Sequence, residues 1–356
     1  SWGFKSPLRY HPNNFMKLKD FDFNLPEKLI AKEPLINRSA SKLMLLKPNF
    51  HTKKFKDFLK LIKKNDVIVV NDTKVIKARA KGKKTTGAKV EVFLERILNK
   101  YEAEVQTRSN SKIKKGEKIL LEGKVEALCL KEGKQSKVFR FNYSVRKYFK
   151  EHGKVPLPPY IKREPDQKDI ENYQTIYADP TKEESVAAPT AGFHFDKNLL
   201  EGIARKGIDI VKVTLHVGMG TFSPIRTDNI DDNALHSERI ELSEEAVRLI
   251  IKAKKNGGRV ICIGTTSLRC LEGAIDKNKG KLLPYKGETD IFIKPGYNFK
   301  IVDCLITNFH LPRSSLFILV SAFIGLENII EGYKWAIERK YRFYSYGDAM
   351  FLERNE

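Results

Sequence analysis

Apolar positions recur with two different periods along this chain, and the period changes twice. In residues 16–70, Phe55, Phe58, Leu59 and Ile62 fall on one helical face, and 66–70 (DVIVV) reads as a buried strand. Residues 71–162 instead hold six short alternating runs: VIKARAKGKK, AKVEVFLERI, EAEVQTRS, EKILLEG, KVEALCLKEG and KVFRFNYS. Gly, Asn and Lys turns separate them, which predicts an antiparallel sheet closing into a small barrel. A stiff proline stretch, VPLPPY at 155–160, ends this segment.

Helices and buried strands alternate again from Gln174. Asp196 is an N-cap, Leu199, Leu200 and Ile203 share a face, Gly207 closes the helix, and 208–215 is a strand ending at His216. Ser243 opens a helix with Glu244 and Glu245 in its first turn and Val247, Ile250 and Ile251 inward; 259–263 and 301–306 are buried strands. An apolar helix, a second helix at 328–340 and a final aromatic strand complete the chain. The fold class is α/β: a discontinuous, barrel-like α/β catalytic domain (16–70 and 163–356) with an inserted antiparallel β-barrel domain (71–162). Residues 1–15 read as an extension.

Composition narrows the class. With 41% apolar and 31% charged residues in 356, the chain is globular. No secretory signal is visible, and the longest apolar run, 316–326, is too short for a bilayer, so no membrane role is expected. Four cysteines without CxxC spacing predict neither zinc ribbon nor disulfide framework, hence a cytoplasmic address. The net charge of +22 is uneven: residues 71–162 hold 24 Lys and Arg against 10 Asp and Glu. The basic insert reads as a polyanion-binding face, with Lys81, Lys83 and Lys84 as nucleic-acid contacts. A monomer is expected.

The chemistry concentrates between residues 185 and 226, in SVAAPTAGFHF and TLHVGMGTFSPIR. Small residues let backbone approach a ligand, so Thr190, Gly192, Gly218, Gly220, Thr221 and Arg226 are candidate substrate contacts. His194 and His216, at the two ends of one helix–strand unit, suit proton transfer. The turn Thr265, Thr266, Ser267 and the following Arg269 offer a helix N-terminus to an anion. Asp290 and His310 are further catalytic candidates; Glu238, Tyr297 and Asp348 are further binding candidates. Neither GxGxxG nor a P-loop occurs, and the histidines lack ligand spacing, so no metal is expected.

Six of these segments carry a likeness. SVAAPTAGFHF, VTLHVGMGTFSPIR, HSERIEL, IGTTSLRCLEGA, TDIFIKPGYNFKIVDCLITNFHLPRSSL and YRFYSYGDAMFL resemble, in order, the S-adenosylmethionine:tRNA ribosyltransferase-isomerase family of queuosine biosynthesis. The likeness runs from Met16 to the C-terminus. Phe193 stands where leucine is usual, Lys294 for an aromatic and Ser315 for threonine, and none removes an essential group. The resemblance implies an α/β fold with an inserted barrel. It also implies transfer and isomerisation of the ribosyl moiety of S-adenosylmethionine onto the 7-aminomethyl-7-deazaguanine wobble nucleotide of tRNA, giving epoxyqueuosine and releasing adenine and methionine. S-adenosylmethionine is then a consumed co-substrate, with no recycled cofactor. The alternatives are a non-catalytic tRNA-binding protein and a metal-dependent nucleotide hydrolase.

Overall fold

A computed structural model describes residues 16–47, 49–133, 136–218, 225 and 227–354. The expected extension and Gly220, Thr221 and Arg226 lie outside the described residues.

The strands are β1 (Lys42–Leu45), β2 (His51–Lys54), β3 (Val67–Asn71), β4 (Lys74–Val75), β5 (Arg79–Lys84), β6 (Lys89–Ile97), β7 (Glu102–Ser109), β8 (Lys118–Leu121), β9 (Val125–Glu132) and β10 (Lys137–Phe141). After them come β11 (Glu183–Ser185), β12 (Asp209–Leu215), β13 (Glu238–Leu242), β14 (Val260–Ile263), β15 (Tyr285–Thr289), β16 (Cys304–Asn308) and β17 (Ala349–Glu353). The helices are α1 (Val145–His152), α2 (Gln167–Asn172), α3 (Lys197–Arg205), α4 (Glu244–Lys255), α5 (Thr265–Lys277), α6 (Ser315–Ile324) and α7 (Leu326–Glu338).

Nine strands form one mixed sheet in the order β15-β13-β12-β3-β14-β16-β17-β1-β2. It has two ends and is not a closed ring, which refines the barrel-like expectation for this part. Its centre, β12-β3-β14-β16, is parallel throughout. Every residue of β3 is buried, as a strand covered on both faces requires. Val67 and Val69 join a core with α4, α5, α6 and α7, and Ile68 and Val70 join one with α3, Phe55 and Phe58. The strand's period of two thus divides one apolar run between two cores. Asp196 and Ser243 cap α3 and α4 as expected, accepting from Leu199 and Ala246.

Six strands close the barrel in the order β10-β7-β6-β5-β8-β9. Inward residues such as Val92, Val105, Ile119 and Phe139 fill it, and Val145, Tyr148 and Phe149 of α1 pack onto the same core. The chain leaves the large sheet through β4 and returns beside it as β11, parallel to β4. This holds the barrel against the sheet edge where β3 ends.

Two expected elements differ. Phe55–Lys60 is a 3-10 helix, not an α-helix. After β15 ends at Thr289, Asp290 and Tyr297 lie in a segment turning at Pro295 and Gly296, where no strand is assigned. The aromatic segment 341–348 is not a strand, because Tyr344 adopts φ 72° and the Asp348 carboxylate accepts the N–H groups of Arg342 and Lys42, both at 2.8 Å. Phe343 is fully buried there, as its apolar neighbours imply. Among the described residues no single helix is long and apolar enough to cross a membrane; α6 and α7 are bent by 112°.

Candidate active site

The four parallel strands end side by side, β12 at Leu215, β3 at Asn71, β14 at Ile263 and β16 at Asn308. Ligands of open α/β sheets bind outside such carboxyl ends. A cleft opens there, bounded by residues 187–191 and 264–266, the stretch 307–311, Tyr160 and Tyr344.

Gly264 shapes one wall. Its φ of 88° lies where side chains are strained, and α5 begins immediately after it without a side-chain cap. Thr265 and Thr266 therefore bring the open N-terminus of α5 to the cleft. The buried Thr266 hydroxyl has no hydrogen-bond partner among the described residues. Ser267 differs: its hydroxyl donates to the Ile263 carbonyl at 2.8 Å and serves the helix.

Arg269 lies one turn on from Thr265 and is only 5% exposed. Its Nη1 pairs with Glu238, while Nε and Nη2 have no partner among the described residues. Glu238 thus faces Arg269. Arg269 lines both the cleft and an adjoining recess with Gly218, His236 and Glu238. Burying guanidinium donors unmatched is costly, so this arrangement is built to meet an anion, carboxylate or phosphate. The helix N-terminus and Arg269 point the same chemistry at one place.

His310 also lines the cleft, its Nε2 2.7 Å from the Thr307 hydroxyl. Burial lowers its pKa to about 3, so the ring is neutral and can accept a proton only from a strong or charge-coupled acid. Tyr160 and Tyr344 stand 4.6 Å apart, centroid to centroid, at the cleft wall. They form an aromatic face suited to a nucleobase.

His194 sits behind the cleft. It is buried, stacks on Phe55 with centroids 4.8 Å apart, and lies 2.7 Å from Ser41 Oγ and 3.3 Å from Asn308 Nδ2. Asn308 Nδ2 also donates to the Tyr344 carbonyl, which fixes the amide orientation. His194 Nε2 is consequently the acceptor, and its Nδ1–H donates to Ser41. Burial lowers its pKa to about 3, with Arg342 and Arg38 adding to the effect. The groups it positions do line the cleft: Asn308, whose Oδ1 accepts from Thr190 at 3.2 Å. Gly192 packs so closely on Tyr177 that a Cβ would strike the hydroxyl.

His216 is elsewhere. Its Nδ1 is 2.9 Å from Thr73 Oγ1 and its Nε2 3.6 Å from Glu184, beside Arg239. Burial lowers its pKa and Glu184 opposes this. Among the described residues the two histidines expected to share a site have no hydrogen-bond partner in common. Val217, next to His216, lines the cleft instead.

Other expected site residues are not among those lining the cleft. Asp290 is exposed and pairs with Lys277 at 2.9 Å, which holds its carboxyl below the usual range. The Tyr297 hydroxyl donates to Glu272, a fully buried carboxylate that accepts the N–H groups of Lys300, Ile301 and Val302. Asp348 closes its loop, and burial raises its pKa. Sequence reasoning passed over Asn308 and Tyr160. An Asn closing an otherwise apolar buried strand was the available signal for Asn308.

On the barrel, Lys81 pairs with Glu164 at 2.9 Å, and Lys84 is nearly buried against Glu117 and the Lys112 carbonyl. Lys83 is exposed and sits opposite Lys89 in the β5–β6 register, where like charges repel. Neither has an ion-pair partner among the described residues.

Comparison with known proteins gives three concordant findings. The profile of the family described as "Queuosine biosynthesis protein" matches residues 18–352. A protein of Vesicomyosocius okutanii named S-adenosylmethionine:tRNA ribosyltransferase-isomerase is 48% identical over 342 residues, covering 96% of this chain and 99% of its own length. A Coxiella burnetii protein of the same name is 46% identical over 346 residues, covering 95% and 99%. The crystal structure of S-adenosylmethionine tRNA ribosyltransferase from Thermotoga maritima aligns with a TM-score of 0.52 at 30% identity, covering 93% of this chain and 99% of that one.

Proposed function

The chain belongs to the queuosine biosynthesis protein family and is an S-adenosylmethionine:tRNA ribosyltransferase-isomerase; on that premise we propose how its cleft divides the work. Neither a non-catalytic tRNA-binding role nor a metal-dependent nucleotide hydrolase draws support from the comparisons. In this reading S-adenosylmethionine is consumed as a co-substrate and no recycled cofactor takes part. The acceptor is the 7-aminomethyl-7-deazaguanine wobble nucleotide, and the products are epoxyqueuosine-tRNA, adenine and methionine.

Arg269 carries the reading. A carboxylate of the methionine part would take the two donors that Arg269 has left over and the N–H groups opening α5. The adenine would lie against Tyr160 and Tyr344, near His310. The sulfonium acidifies the neighbouring 5′ C–H bonds, and adenine leaves more readily with a ring nitrogen protonated. A neutral imidazole held by Thr307 would hydrogen-bond the leaving adenine rather than carry the proton itself. His194 we assign to positioning, through Asn308.

Incubating the protein with S-adenosylmethionine and precursor-bearing tRNA is the direct test. Adenine and methionine are expected in equal amounts, one each per modified tRNA. S-adenosylhomocysteine would instead identify methyl transfer and overturn the reading.

The tRNA would lie on the basic insert, which we take as residues 71–162. The facing Lys83 and Lys89 are the best supported contacts, because a polyanion relieves their mutual repulsion. Replacing both with Ala is expected to weaken tRNA binding and to lower its slope against log salt by roughly 1–2, each phosphate contact contributing somewhat under one unit. S-adenosylmethionine binding should not change. Filter binding at several salt concentrations measures both, and unchanged affinity throughout removes these lysines from the interface. A cytoplasmic, monomeric protein fits a tRNA substrate and four cysteines that are all free and buried.

A further inference from the structure

We propose that Glu95, a carboxylate supplied by the barrel, is a catalytic residue that takes the proton the incoming amine must lose. This rests on the reading of the cleft as the ribosyl-transfer site.

The first observation is a β-bulge. In the β6–β7 ladder Leu94 faces Val105 and Arg96 faces Glu104, which leaves Glu95 as the extra residue. Bulges are frequent beside active sites. Alternation with the inward Val90, Val92 and Leu94 puts Glu95 on the outward face of the barrel wall, and the bulge restarts the inward set at Ile97. Glu95 Oε1 accepts from Gln106 Nε2 at 2.5 Å, which fixes the group. Its Oε2 faces Gly218, at 3.8 Å from where a Cβ on that glycine would stand.

Gly218 is the second observation. Its N–H donates to Glu238 Oε1 at 3.3 Å, and it lines the recess shared with Arg269. Two carboxylates from different parts of the chain therefore converge on one residue at the rim. Their states differ. Glu238 is met by Arg269, whereas Glu95 has no ion pair among the described residues. Arg269, with two donors unspent, marks the neighbouring space as a place for a ligand.

The groups facing Glu95 are Glu104 and Gln106 of β7, and Glu238 of β13 with its partner Arg269. His236 lies on the recess, and Arg96 is turned to Glu288 at 3.5 Å. Burial first, then Glu104 and Glu238, push the Glu95 carboxyl up to about 7, with the Gln106 hydrogen bond opposing them. Such a carboxylate is a base matched to neutral pH.

An aminomethyl group is an ammonium ion at that pH and has no lone pair to offer. One N–H bond breaks, an O–H bond forms on Glu95, and the electrons of the broken bond become the nitrogen lone pair; this proton transfer is the whole of the step assigned to Glu95. Charge passes from ammonium and carboxylate to amine and carboxylic acid, so atoms and electrons balance. The neutral acid can then donate a hydrogen bond to the product.

Single-turnover assays with precursor-bearing tRNA across pH 5.5–9 test this, using Glu95→Gln, Glu95→Asp and Gln106→Leu. Glu95→Gln is expected to slow product formation at least ~10²-fold, with S-adenosylmethionine affinity and melting temperature unchanged. Glu95→Asp should recover part of the rate. Gln106→Leu, losing the bond that favours the carboxylate, should move the acidic limb of the rate profile to higher pH. Near-normal turnover by Glu95→Gln with an unaltered limb overturns the proposal, as does an unmoved limb in Gln106→Leu. Wild type that releases no adenine would remove the parent reading instead, so the two failures are told apart in the same samples.

Discussion

Arg269→Lys is expected to weaken S-adenosylmethionine binding by on the order of 10- to 100-fold while leaving the protein folded. Arginine here is asked for two things at once. Nη1 pairs with Glu238 inside the protein, and Nε and Nη2 remain for a ligand. A lysine keeps the charge beside Glu238 but places a single ammonium there, with no rigid fork to reach into the cleft. Each charge-assisted hydrogen bond lost contributes ~1.5–3 kcal/mol, and 1.4 kcal/mol is tenfold in affinity. Arg269→Met should behave differently, since removing a cation from beside a buried carboxylate costs about 3–5 kcal/mol of stability. Calorimetric titration with S-adenosylmethionine and denaturant melts of both variants separate the two roles. A lysine variant that binds normally would move the carboxylate seat away from Arg269.

The legible parts of this chain were those where a local rule and the fold agree. Six alternating runs became six barrel strands because each strand buries one face in its own small core. Asp196 and Ser243 were readable as caps because a cap depends on a few neighbouring backbone groups. The turn at 264–267 was readable as a helix N-terminus because a strand followed by Gly and hydroxylic residues makes one, and α5 begins at Thr265.

The illegible parts depend on side-chain direction at long range. His194 and His310 both follow small or apolar residues near strand or loop ends. Only the fold puts one behind Asn308 and the other in the cleft. Asp290 and Tyr297 sit in a striking run of letters, yet their partners are Lys277 and Glu272 of α5. Glu95 did leave a mark: inward Val90, Val92 and Leu94 are followed by Ile97, a step of three in a period of two. That skipped step is how a bulge appears in sequence.

His194→Ala is expected to be a stability mutation, with most of the chemistry spared. The ring fills the space against Phe55, donates to Ser41 and accepts from Asn308, all in the core. Deleting it leaves a cavity and removes two hydrogen bonds, a loss of about 2–5 kcal/mol by analogy with other large-to-small core changes. The pH dependence identifies the cause. Its pKa is about 3 in the fold against 6.5 as the ordinary value, so burial favours the neutral ring. The stability this contributes is fully present above pH 6.5. It is lost as pH falls through the window from 6.5 to about 3, by up to ~1.4 kcal/mol per pH unit. His310 contributes in the same direction, whereas the raised pKa values of Asp72 and Asp348 work against it. The alanine variant should therefore melt several degrees lower at pH 7.5 and lose stability less steeply than wild type between pH 6.5 and 4. Its turnover per folded molecule should stay within ~10-fold, while His310→Ala, opening onto the cleft, should lose at least ~10² in turnover with a smaller change in melting. A His194→Ala protein that melts normally but cannot turn over would reverse these two roles.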